Sequence, residues 1–466
     1  MGKIRFGTDG WRAVIARDYT VANVERVAQA TAEWMKQRGM RSVVIGYDCR
    51  FGGKMFSEAV ASVMAEHGMS VYLSEQFVTT PMVSLGVVKH HADMGIVITA
   101  SHNPPEYNGF KLKSAYGGPT VPSDIGAIEA LIPPSAAVEV RDASHYRNRG
   151  LWQYVDLEEL YYRHVEEHFD MDAIRSSDIG IAYDAMYGAG QRIVPRLFPE
   201  ATLLHCDYNP SFKGRAPEPL EKNLGELKTL MQGDASLHFG LANDGDADRI
   251  GLFAEGGQYI DSHRIMLLLL YYLAKYRGLK GKVVVTFSVT EKMRVLAEHF
   301  GFGYAVTPIG FKHIAEIMIR EPVLIGGEES GGIAVAGHIP ERDGVWNGLL
   351  LLEFMARTGK RLTELLDEIY AIVGRFAYHR WDLHIDETTK ARVIETLKHR
   401  PWERIGPFGV RRVEALDGYK FHLGDGEWVM IRPSGTEPVL RVYAQAATDE
   451  KVQEVLEATK KCIEAV

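Results

Sequence analysis

Three aspartates at alternate positions form the strongest chemical signal in the sequence. Asp244, Asp246 and Asp248 are separated by Gly245 and Ala247, and these small residues leave room for the carboxylates to surround one point. Carboxylate oxygens in such a loop are the ligands that a hard divalent cation prefers. We therefore predict a magnesium-binding loop.

Two other interpretations of this loop are open. Glu255 stands at the twelfth position counted from Asp244, as in a calcium-binding EF-hand. However, Arg249 occupies the sixth position, where an EF-hand needs glycine, and the flanking residues are typical of strands instead of helices. A solvated acidic turn is the third interpretation.

A serine nucleophile is predicted at Ser101, within T-A-S-H-N-P-P, which continues to N-G-F-K. The serine follows an apolar strand predicted over residues 94–99, on a loop that proline and asparagine would hold rigid. His102 raises the alternative of a Ser–His hydrolase. We expect neighbouring side chains of an extended loop to point in opposite directions, and no G-x-S-x-G elbow is present. A turn without chemistry is the other alternative.

A glycine-rich loop, G-G-E-E-S-G-G, offers oxygen atoms to a polar ligand. Glu328 and Ser330 project from this loop, and their oxygens suit the vicinal hydroxyls of a sugar. The motif is short, so an ordinary glycine turn is the alternative.

A phosphate cradle is predicted in R-P-S-G-T-E-P and the arginine beyond it. An arginine fork, two hydroxyls and a glycine that lets backbone N–H groups approach can bind phosphate oxygens. The lysine and spacing of a P-loop are missing, and a simple turn is the alternative. The predicted phosphate-binding residues are Arg432, Ser434, Gly435, Thr436 and Arg441.

The elements that would position these loops alternate between strands and helices. Apolar, β-branched runs at residues 41–48, 179–184 and 282–290 each lead through a polar loop into a helical pattern, whereas the run at residues 94–99 is followed by Ser101 and the run at residues 322–325 by the glycine-rich loop. This order predicts α/β domains with mixed or parallel sheets, in which ligands bind at the carboxyl ends of strands. We predict three similar α/β domains, at residues 1–145, 146–256 and 257–374, and a smaller α+β domain at residues 375–466. We expect the last domain to fold separately and to close over the substrate.

Composition limits the partners and the compartment. The net charge is −8 without a long basic run, so a nucleic-acid-binding surface is not expected. Three widely separated cysteines predict a reduced, cytoplasmic protein without disulfides. The longest apolar run, residues 265–274, is too short to span a bilayer, so we predict a buried helix and no membrane anchor.

Five motifs in order give the chain a specific resemblance. F-G-T-D-G-W-R, T-A-S-H-N-P-P with N-G-F-K, D-G-D-A-D-R, G-E-E-S-G-G and R-P-S-G-T-E-P resemble the signatures of the α-D-phosphohexomutase family. This family includes phosphoglucomutase and phosphomannomutase. The resemblance implies four domains around a central cleft, each supplying one loop, and transfer of phosphate within a hexose phosphate. It also implies Mg²⁺ as cofactor and a hexose 1,6-bisphosphate as intermediate and activator.

The resemblance assigns a role to each residue that matches a motif. Ser101 becomes the phosphorylated residue, and its phosphate joins Asp244, Asp246 and Asp248 as a magnesium ligand. Groups expected beside the reacting phosphate or the sugar are Arg12, His102, Lys111, Arg249, Thr307, Gly310, Glu328, Ser330 and Arg342, with the cradle residues Arg432, Ser434, Gly435, Thr436 and Arg441 holding the second phosphate.

Two positions depart from the family pattern and bear on the sugar. Gly332 replaces a histidine that some phosphomannomutases and glucosamine mutases carry, and Arg342 replaces a lysine of phosphoglucomutases. We favour glucose phosphate as substrate, with mannose phosphate or dual use as the alternative. A phosphatase and a non-catalytic sugar-phosphate-binding protein are the competing functions, and the sequence does not predict the oligomeric state.

Overall fold

The chain forms two units, each with its own apolar cores. The computed structural model describes residues 4–136, 138–434 and 439–466. The first unit comprises Met1–Lys282 and Gly310–Leu366, and the second comprises Val283–Ile309 and Asp367–Val466. Within the described residues, no helix combines the length and apolar character needed to cross a membrane.

The first sheet carries Ser101 at the end of its strand β4, and its order is β1-β5-β4-β2-β3-β7, with β6 beside β5. Its parallel strands are buried on both faces, which explains the continuous apolar run that predicted β4. Strand β5 runs antiparallel to both β4 and β1, so the sheet is mixed. The elements are β1 (Trp11–Val14), α1 (Val21–Gln37), β2 (Ser42–Tyr47), α2 (Gly53–Glu66), β3 (Ser70–Ser74), α3 (Thr80–Lys89), β4 (Met94–Ile98), β5 (Tyr107–Ser114), β6 (Gly118–Pro119), α4 (Pro122–Ala130), α5 (Ala143–Asn148) and β7 (Trp152–Val155).

Strand β7 corrects one predicted domain boundary. This strand pairs in parallel with β3 and therefore belongs to the first sheet. Tyr146, in α5, is buried, and its hydroxyl donates a hydrogen bond to Glu66 of α2 at 2.7 Å. The polar segment that predicted a boundary at residue 145 thus leads into the last helix and strand of the first sheet.

The second sheet carries the aspartate loop between strands β10 and β11, and its order is β12-β11-β10-β8-β9. Strands β8, β9 and β10 are parallel, whereas β11 returns antiparallel to β10 and makes a tight connection. The elements are α6 (Leu157–His168), α7 (Met171–Arg175), β8 (Gly180–Asp184), α8 (Ile193–Leu197), β9 (Thr202–Leu204), α9 (Gly225–Gly233), β10 (Leu237–Asn243), β11 (Ile250–Ala254) and β12 (Gln258–Ile260).

The third stretch of chain contributes to both units. A parallel pair, β13 with β14, lies mostly in the second unit, and an antiparallel pair, β15 with β16, lies in the first. The apolar run predicted as a buried helix is α10, which continues as a π-helical turn over Tyr272–Tyr276. The elements are α10 (Ser262–Tyr271), β13 (Lys282–Thr286), α11 (Lys292–His299), β14 (Tyr304–Thr307), α12 (Phe311–Met318), β15 (Val323–Gly327), β16 (Ile333–Val335), α13 (Gly344–Thr358) and α14 (Leu362–Val373).

The last sheet is antiparallel, in the order β17-β23-β22-β21-β20, and β18 and β19 form a separate pair. Helix α16 contacts β23 and β17, and its buried side chains Val452, Val455 and Leu456 belong to the apolar core of this sheet. The elements are β17 (Ala377–His384), α15 (Glu387–His399), β18 (Arg404–Ile405), β19 (Phe408–Gly409), β20 (Arg412–Glu414), β21 (Tyr419–Gly424), β22 (Glu427–Pro433), β23 (Val439–Ala446) and α16 (Asp449–Glu464).

The α/β class with a C-terminal α+β region is confirmed, but the second unit is larger than predicted. Phe287, just after β13, is buried in one apolar cluster with Trp428, Met430 and Tyr443. A chain ending near Gly374 would lose these partners and expose Phe287. The second unit therefore includes residues 283–309, which the predicted boundary at residue 374 left outside the last domain.

Candidate active site

The aspartate loop joins β10 to β11 and is held by its own hydrogen bonds. Asp244, Asp246 and Asp248 are fully buried, and one ligand atom from each lies within 4.8 Å of the others. The backbone N–H of Arg249 donates to Asp244 Oδ1 at 3.1 Å, and Ala247 takes a positive φ of 57°. The loop thus turns three carboxylates toward one volume.

Two oxygens of this loop lack donors. Among the described residues, none donates a hydrogen bond to Asp246 Oδ1 or Asp248 Oδ1, although both atoms are buried. A buried carboxylate oxygen without a partner is costly, and a hard cation is the ligand that such oxygens prefer. Burial, followed by the charges of Asp248 and Asp246, raises the pKa of Asp244 well above its ordinary value. The donor set therefore fits a divalent cation such as Mg²⁺.

Ser101 lies on the connection from β4 to β5, with its hydroxyl against the aspartate loop. Its Oγ donates to Asp244 Oδ2 at 2.7 Å, and its backbone N–H donates to Thr99 Oγ1 at 2.9 Å. The residue is 1% exposed, and its φ of 52° lies in the left-handed region. Ser101, predicted as the nucleophile, therefore lies against a predicted metal ligand.

His102 differs from the expectation for an extended loop. Its Nδ1 lies 3.3 Å from Ser101 Oγ, because the positive φ of Ser101 turns the two neighbouring side chains to the same side. Burial, followed by the charges of Arg249 and Arg12, lowers the pKa of His102 well below its ordinary value. His102 is thus a neutral group that contacts the serine hydroxyl.

Arg50 shapes the serine loop, and sequence reasoning missed it. Its guanidinium is buried and donates to the carbonyl oxygens of Ser101 at 2.6 Å and Asn103 at 2.5 Å, and to those of Pro104 and Tyr107 at 2.8 and 2.9 Å. These four bonds fix the backbone around Ser101. Arg50 follows the end of β2, at the same edge of the sheet as the end of β4 that leads to Ser101. This position was the sequence signal that could have identified it.

Lys111, on β5, contacts three carboxylates. Its Nζ lies 2.8 Å from Asp9 Oδ2, 2.8 Å from Asp246 Oδ2 and 3.3 Å from Asp248 Oδ2. Burial lowers its pKa, but the charges of Asp246, Asp248 and Asp9 outweigh burial and raise the pKa above its ordinary value. In this arrangement Lys111 is an ammonium that donates, which argues against a role as general base. Asp9, although part of F-G-T-D-G-W-R, was not predicted as a site residue.

Two arginines extend this network. Arg12 Nη1 donates to Asn103 Oδ1 at 2.5 Å, which places its guanidinium beside the serine loop. Arg342 Nη2 lies 2.6 Å from both Asp9 Oδ2 and Asp248 Oδ2. Arg342 therefore supports the aspartate loop from the side of the glycine-rich loop.

The glycine-rich loop after β15 lies beside the aspartate loop. Glu328 is buried, Gly310 N–H donates to its Oε1 at 3.0 Å, and burial raises its pKa in spite of Arg342 and Arg249. Ile250 N–H, at the start of β11, donates to the carbonyl of Gly331 at 3.2 Å. Ser330, the other predicted sugar contact, is half-buried.

The two departures from the family pattern, Gly332 and Arg342, are in contact with each other. A Cβ added at Gly332 would lie 2.5 Å from Arg342 Cδ. Because the guanidinium of Arg342 is held by Asp9 and Asp248, that side chain cannot easily move away. Any side chain at position 332, including a histidine, thus competes with Arg342 for the same space.

The remaining predicted residues belong to the second unit. Arg432 Nε donates to Asp417 Oδ1 at 3.0 Å, and Asp417 Oδ2 accepts from Ile309 N–H at 2.8 Å, two residues after Thr307. Ser434 is buried, and its N–H donates to Val439 O at 2.9 Å. Arg441 is half-buried on β23. Gly435 and Thr436 lie outside the described residues.

The ion pairs of the first-unit site contain more carboxylates than cations. In the described part of the chain, the connected network has seven carboxylates and five cationic groups, an excess of two carboxylates. The carboxylates are Asp9, Glu218, Asp244, Asp246, Asp248, Glu328 and Glu341, and the cations are Arg12, Lys111, Lys113, Arg249 and Arg342.

Comparisons with known proteins identify the family of the chain. Four models of phosphoglucomutase/phosphomannomutase domains match residues 3–137 (domain I), 159–257 (domain II), 261–373 (domain III) and 397–461 (the C-terminal domain). A phosphoglucomutase/phosphomannomutase of Thermococcus kodakarensis is 29% identical over 100% of this chain and 99% of its own. A phosphoglucosamine mutase of Carboxydothermus hydrogenoformans is 29% identical, over 99% and 100%.

A solved structure shares the whole fold. The crystal structure of a protein provisionally described as a phosphomannomutase, from Thermus thermophilus, has a TM-score of 0.87 and 35% identity, and 99% of each chain is covered. The similarity therefore extends over the sheets and helices as well as the loops that carry the motifs. The chain belongs to the phosphoglucomutase/phosphomannomutase family of α-D-phosphohexomutases.

Proposed function

We propose that this phosphohexomutase interconverts a hexose 1-phosphate and a hexose 6-phosphate, with glucose as the preferred sugar. The reaction passes through phosphorylated Ser101 and a hexose 1,6-bisphosphate, which also serves as the activator. The observation that carries the proposal is the 2.7 Å contact between Ser101 Oγ and Asp244 Oδ2, beside two unpartnered oxygens among the described residues, on Asp246 and Asp248.

The aspartate loop would hold Mg²⁺ in this reaction. Asp244, Asp246 and Asp248 supply carboxylate oxygens, and a phosphate oxygen on Ser101 would complete the set. When bound, the ion supplies Lewis-acid stabilisation of charge on the phosphoryl group. A phosphoserine carries about two negative charges, so the ion and the phosphate together leave the net charge of the site unchanged.

The protein's own groups position and stabilise the phosphoryl group. The Ser101 Oγ–phosphorus bond breaks as the oxygen of a sugar hydroxyl forms its bond to phosphorus, and the hydroxyl proton passes to a base. Lys111 donates to the carboxylate of Asp246, and Arg12 donates to the amide oxygen of Asn103 on the serine loop, so both cations lie where they can donate to phosphoryl oxygens. In the next half-reaction the other phosphate of the bisphosphate returns to Ser101. His102, neutral and 3.3 Å from Ser101 Oγ, is a candidate to carry a proton.

A group that binds the sugar distinguishes a mutase from a phosphatase. Glu328, with Gly310 donating to it, presents a buried carboxylate on the glycine-rich loop. A hydrolase that uses water would not need this group. Glucose and mannose differ at a single hydroxyl, so mannose phosphate or dual use is the second candidate. Arg342 leaves no room for a side chain at Gly332. The chain therefore differs from the phosphomannomutases and glucosamine mutases that carry histidine at this position, which favours glucose as the sugar.

A coupled assay tests this proposal. Glucose 1-phosphate, mannose 1-phosphate and glucosamine 1-phosphate are compared, each with a trace of the corresponding bisphosphate. We expect turnover of all to vanish in Ser101→Ala and the wild type to carry a fraction heavier by one phosphate. Ser74→Ala, which removes another buried hydroxyl away from the site, is the control. Normal turnover in Ser101→Ala would contradict the phosphoserine, and faster turnover of another sugar would contradict the preference for glucose.

A further inference from the structure

A buried histidine outside the active site has no hydrogen-bond partner. His164 lies on α6 and is 7% exposed. Within the described chain, neither of its ring nitrogens has a hydrogen-bond partner. A neutral imidazole carries one donor and one acceptor, so both are unsatisfied, and burying them in this way is costly. Such an arrangement calls for an explanation.

Aromatic rings fix the orientation of His164. Its ring stacks on Trp346 at 5.2 Å between centroids, and on His338 at 5.4 Å. Burial, followed by the charges of His338 and His168, lowers the pKa of His164 to about 3. His164 is therefore neutral at physiological pH and keeps a lone pair available to a ligand.

Two further ligand-type side chains lie one helical turn away. Glu167 and His168 follow His164 by three and four residues, so all three share one face of α6. One ligand atom from each lies within 4.8 Å of the others. Glu167 and His168 are exposed, so the cluster opens to solvent on one side and an ion could enter.

The hydrogen bond of His168 selects its tautomer. Its Nδ1 lies 2.8 Å from the carbonyl oxygen of His164. A carbonyl oxygen only accepts, so Nδ1 carries the proton and Nε2 carries the lone pair. A metal-binding histidine is held in this way by a carbonyl that accepts from its other ring nitrogen.

We propose that His164, Glu167 and His168 bind a divalent transition metal ion, with Zn²⁺ the best match. Two imidazole nitrogens and a carboxylate favour zinc over magnesium, which prefers oxygen ligands alone. The three residues form an H-x-x-E-H pattern on a helix, whose spacing places both histidines on one side. The fourth coordination position is left to water.

This site is separate from the aspartate loop and would act on stability. The ion satisfies a lone pair of His164 and links two successive turns of α6. Lys89 lies 3.9 Å from Glu167, but this ion pair is exposed and weak, so a bound ion would displace the lysine easily. Because the ion binds the folded chain only, it raises the unfolding temperature.

Calorimetric titration with Zn²⁺ tests the proposal. The full chain is titrated in excess Mg²⁺, which occupies the aspartate loop. We expect one zinc site per chain and, because one of three ligands is lost, affinity at least about tenfold weaker in His168→Gln. His67→Gln is the matched control, since His67 Nδ1 also lies near an i−4 carbonyl, at 2.9 Å from Val63 O. His168 is exposed, so its replacement should leave the fold intact.

Two further measurements locate the ion. Asp246→Asn should keep zinc affinity, because the aspartates are not its ligands. Co²⁺ should give the intense visible absorption of four-coordinate cobalt in wild type and His67→Gln, and lose it in His168→Gln. Equal zinc affinity in wild type and His168→Gln, or loss of the zinc site in Asp246→Asn, would overturn the proposal.

Discussion

Replacing Lys111 by methionine should destabilise the metal-free protein by about 3 kcal/mol. Lys111 is 1% exposed, and its Nζ is 2.8 Å from carboxylate oxygens of both Asp9 and Asp246. Each contact gives a gross attraction of about 6 kcal/mol at an effective dielectric constant of about 20, most of which is offset by desolvation. Removing one partner of a buried pair costs about 3–5 kcal/mol. Arg342 still neutralises Asp9 and Asp248, so the lower end of this range applies.

Magnesium should restore part of this loss. A dication bound by the aspartates replaces the missing positive charge, and it no longer meets repulsion from the ammonium of Lys111. Saturating Mg²⁺ should therefore raise the free energy of unfolding of Lys111→Met by about 1 kcal/mol more than it raises that of the wild type. Turnover should stay low, because the variant lacks the ammonium that we propose to stabilise the phosphoryl group.

Urea unfolding with and without Mg²⁺ measures these changes. The midpoint of the first transition is compared for wild type, Lys111→Met and Lys54→Met, which removes an exposed lysine on α2 as a control. A loss below about 1 kcal/mol would show that Lys111 does not balance the carboxylates. Equal stabilisation of all three proteins by Mg²⁺ would show that the ion binds elsewhere.

Three other changes give independent tests. Asp246→Asn should raise the Mg²⁺ concentration needed for half-maximal turnover and cut turnover by orders of magnitude, whereas full activity in EDTA would contradict the metal site. Gly332→Ala should displace Arg342 and lower kcat/KM about tenfold or more, which corresponds to a loss of about 1.4 kcal/mol in transition-state stabilisation. Gly126→Ala is the control, because its Cβ would meet open space. Burial lowers the pKa of Lys420 to about 8, so Lys420→Met should stabilise the protein at pH 7 by about 1–3 kcal/mol. The unfolded lysine binds protons up to about pH 10.4, so this gain should disappear as pH rises from 8 past that value, and a pH-independent gain would contradict it.

Contiguous motifs explain why much of the site could be predicted from the sequence. Ser101 and the three aspartates each follow a strand whose apolar run is visible in the sequence, and strand ends collect ligand-binding loops. The α/β class follows from the same alternation. The sequence is therefore most informative where a few neighbouring residues carry both the position and the chemistry.

Contacts between distant residues explain what the sequence did not reveal. Arg50 fixes the serine loop through carbonyl groups more than fifty residues away, and a carbonyl has no sequence signature. The contact between His102 and Ser101 depends on the positive φ of Ser101, and a serine, unlike a glycine, gives no indication of such a backbone angle in the sequence. The restriction at Gly332 arises from Arg342, which lies after β16.

The membership of Phe287 in the last apolar cluster has a consequence for synthesis on the ribosome. The chain emerges from its N-terminus, so β13 and Phe287 are made well before β22 and β23, which supply Trp428, Met430 and Tyr443. Until those strands emerge, an aromatic side chain that ends fully buried stays exposed, as do the neighbouring apolar residues of β13. Completion of the second unit must wait for the end of translation, and a prematurely terminated chain carries an exposed apolar surface that chaperones and proteases can recognise.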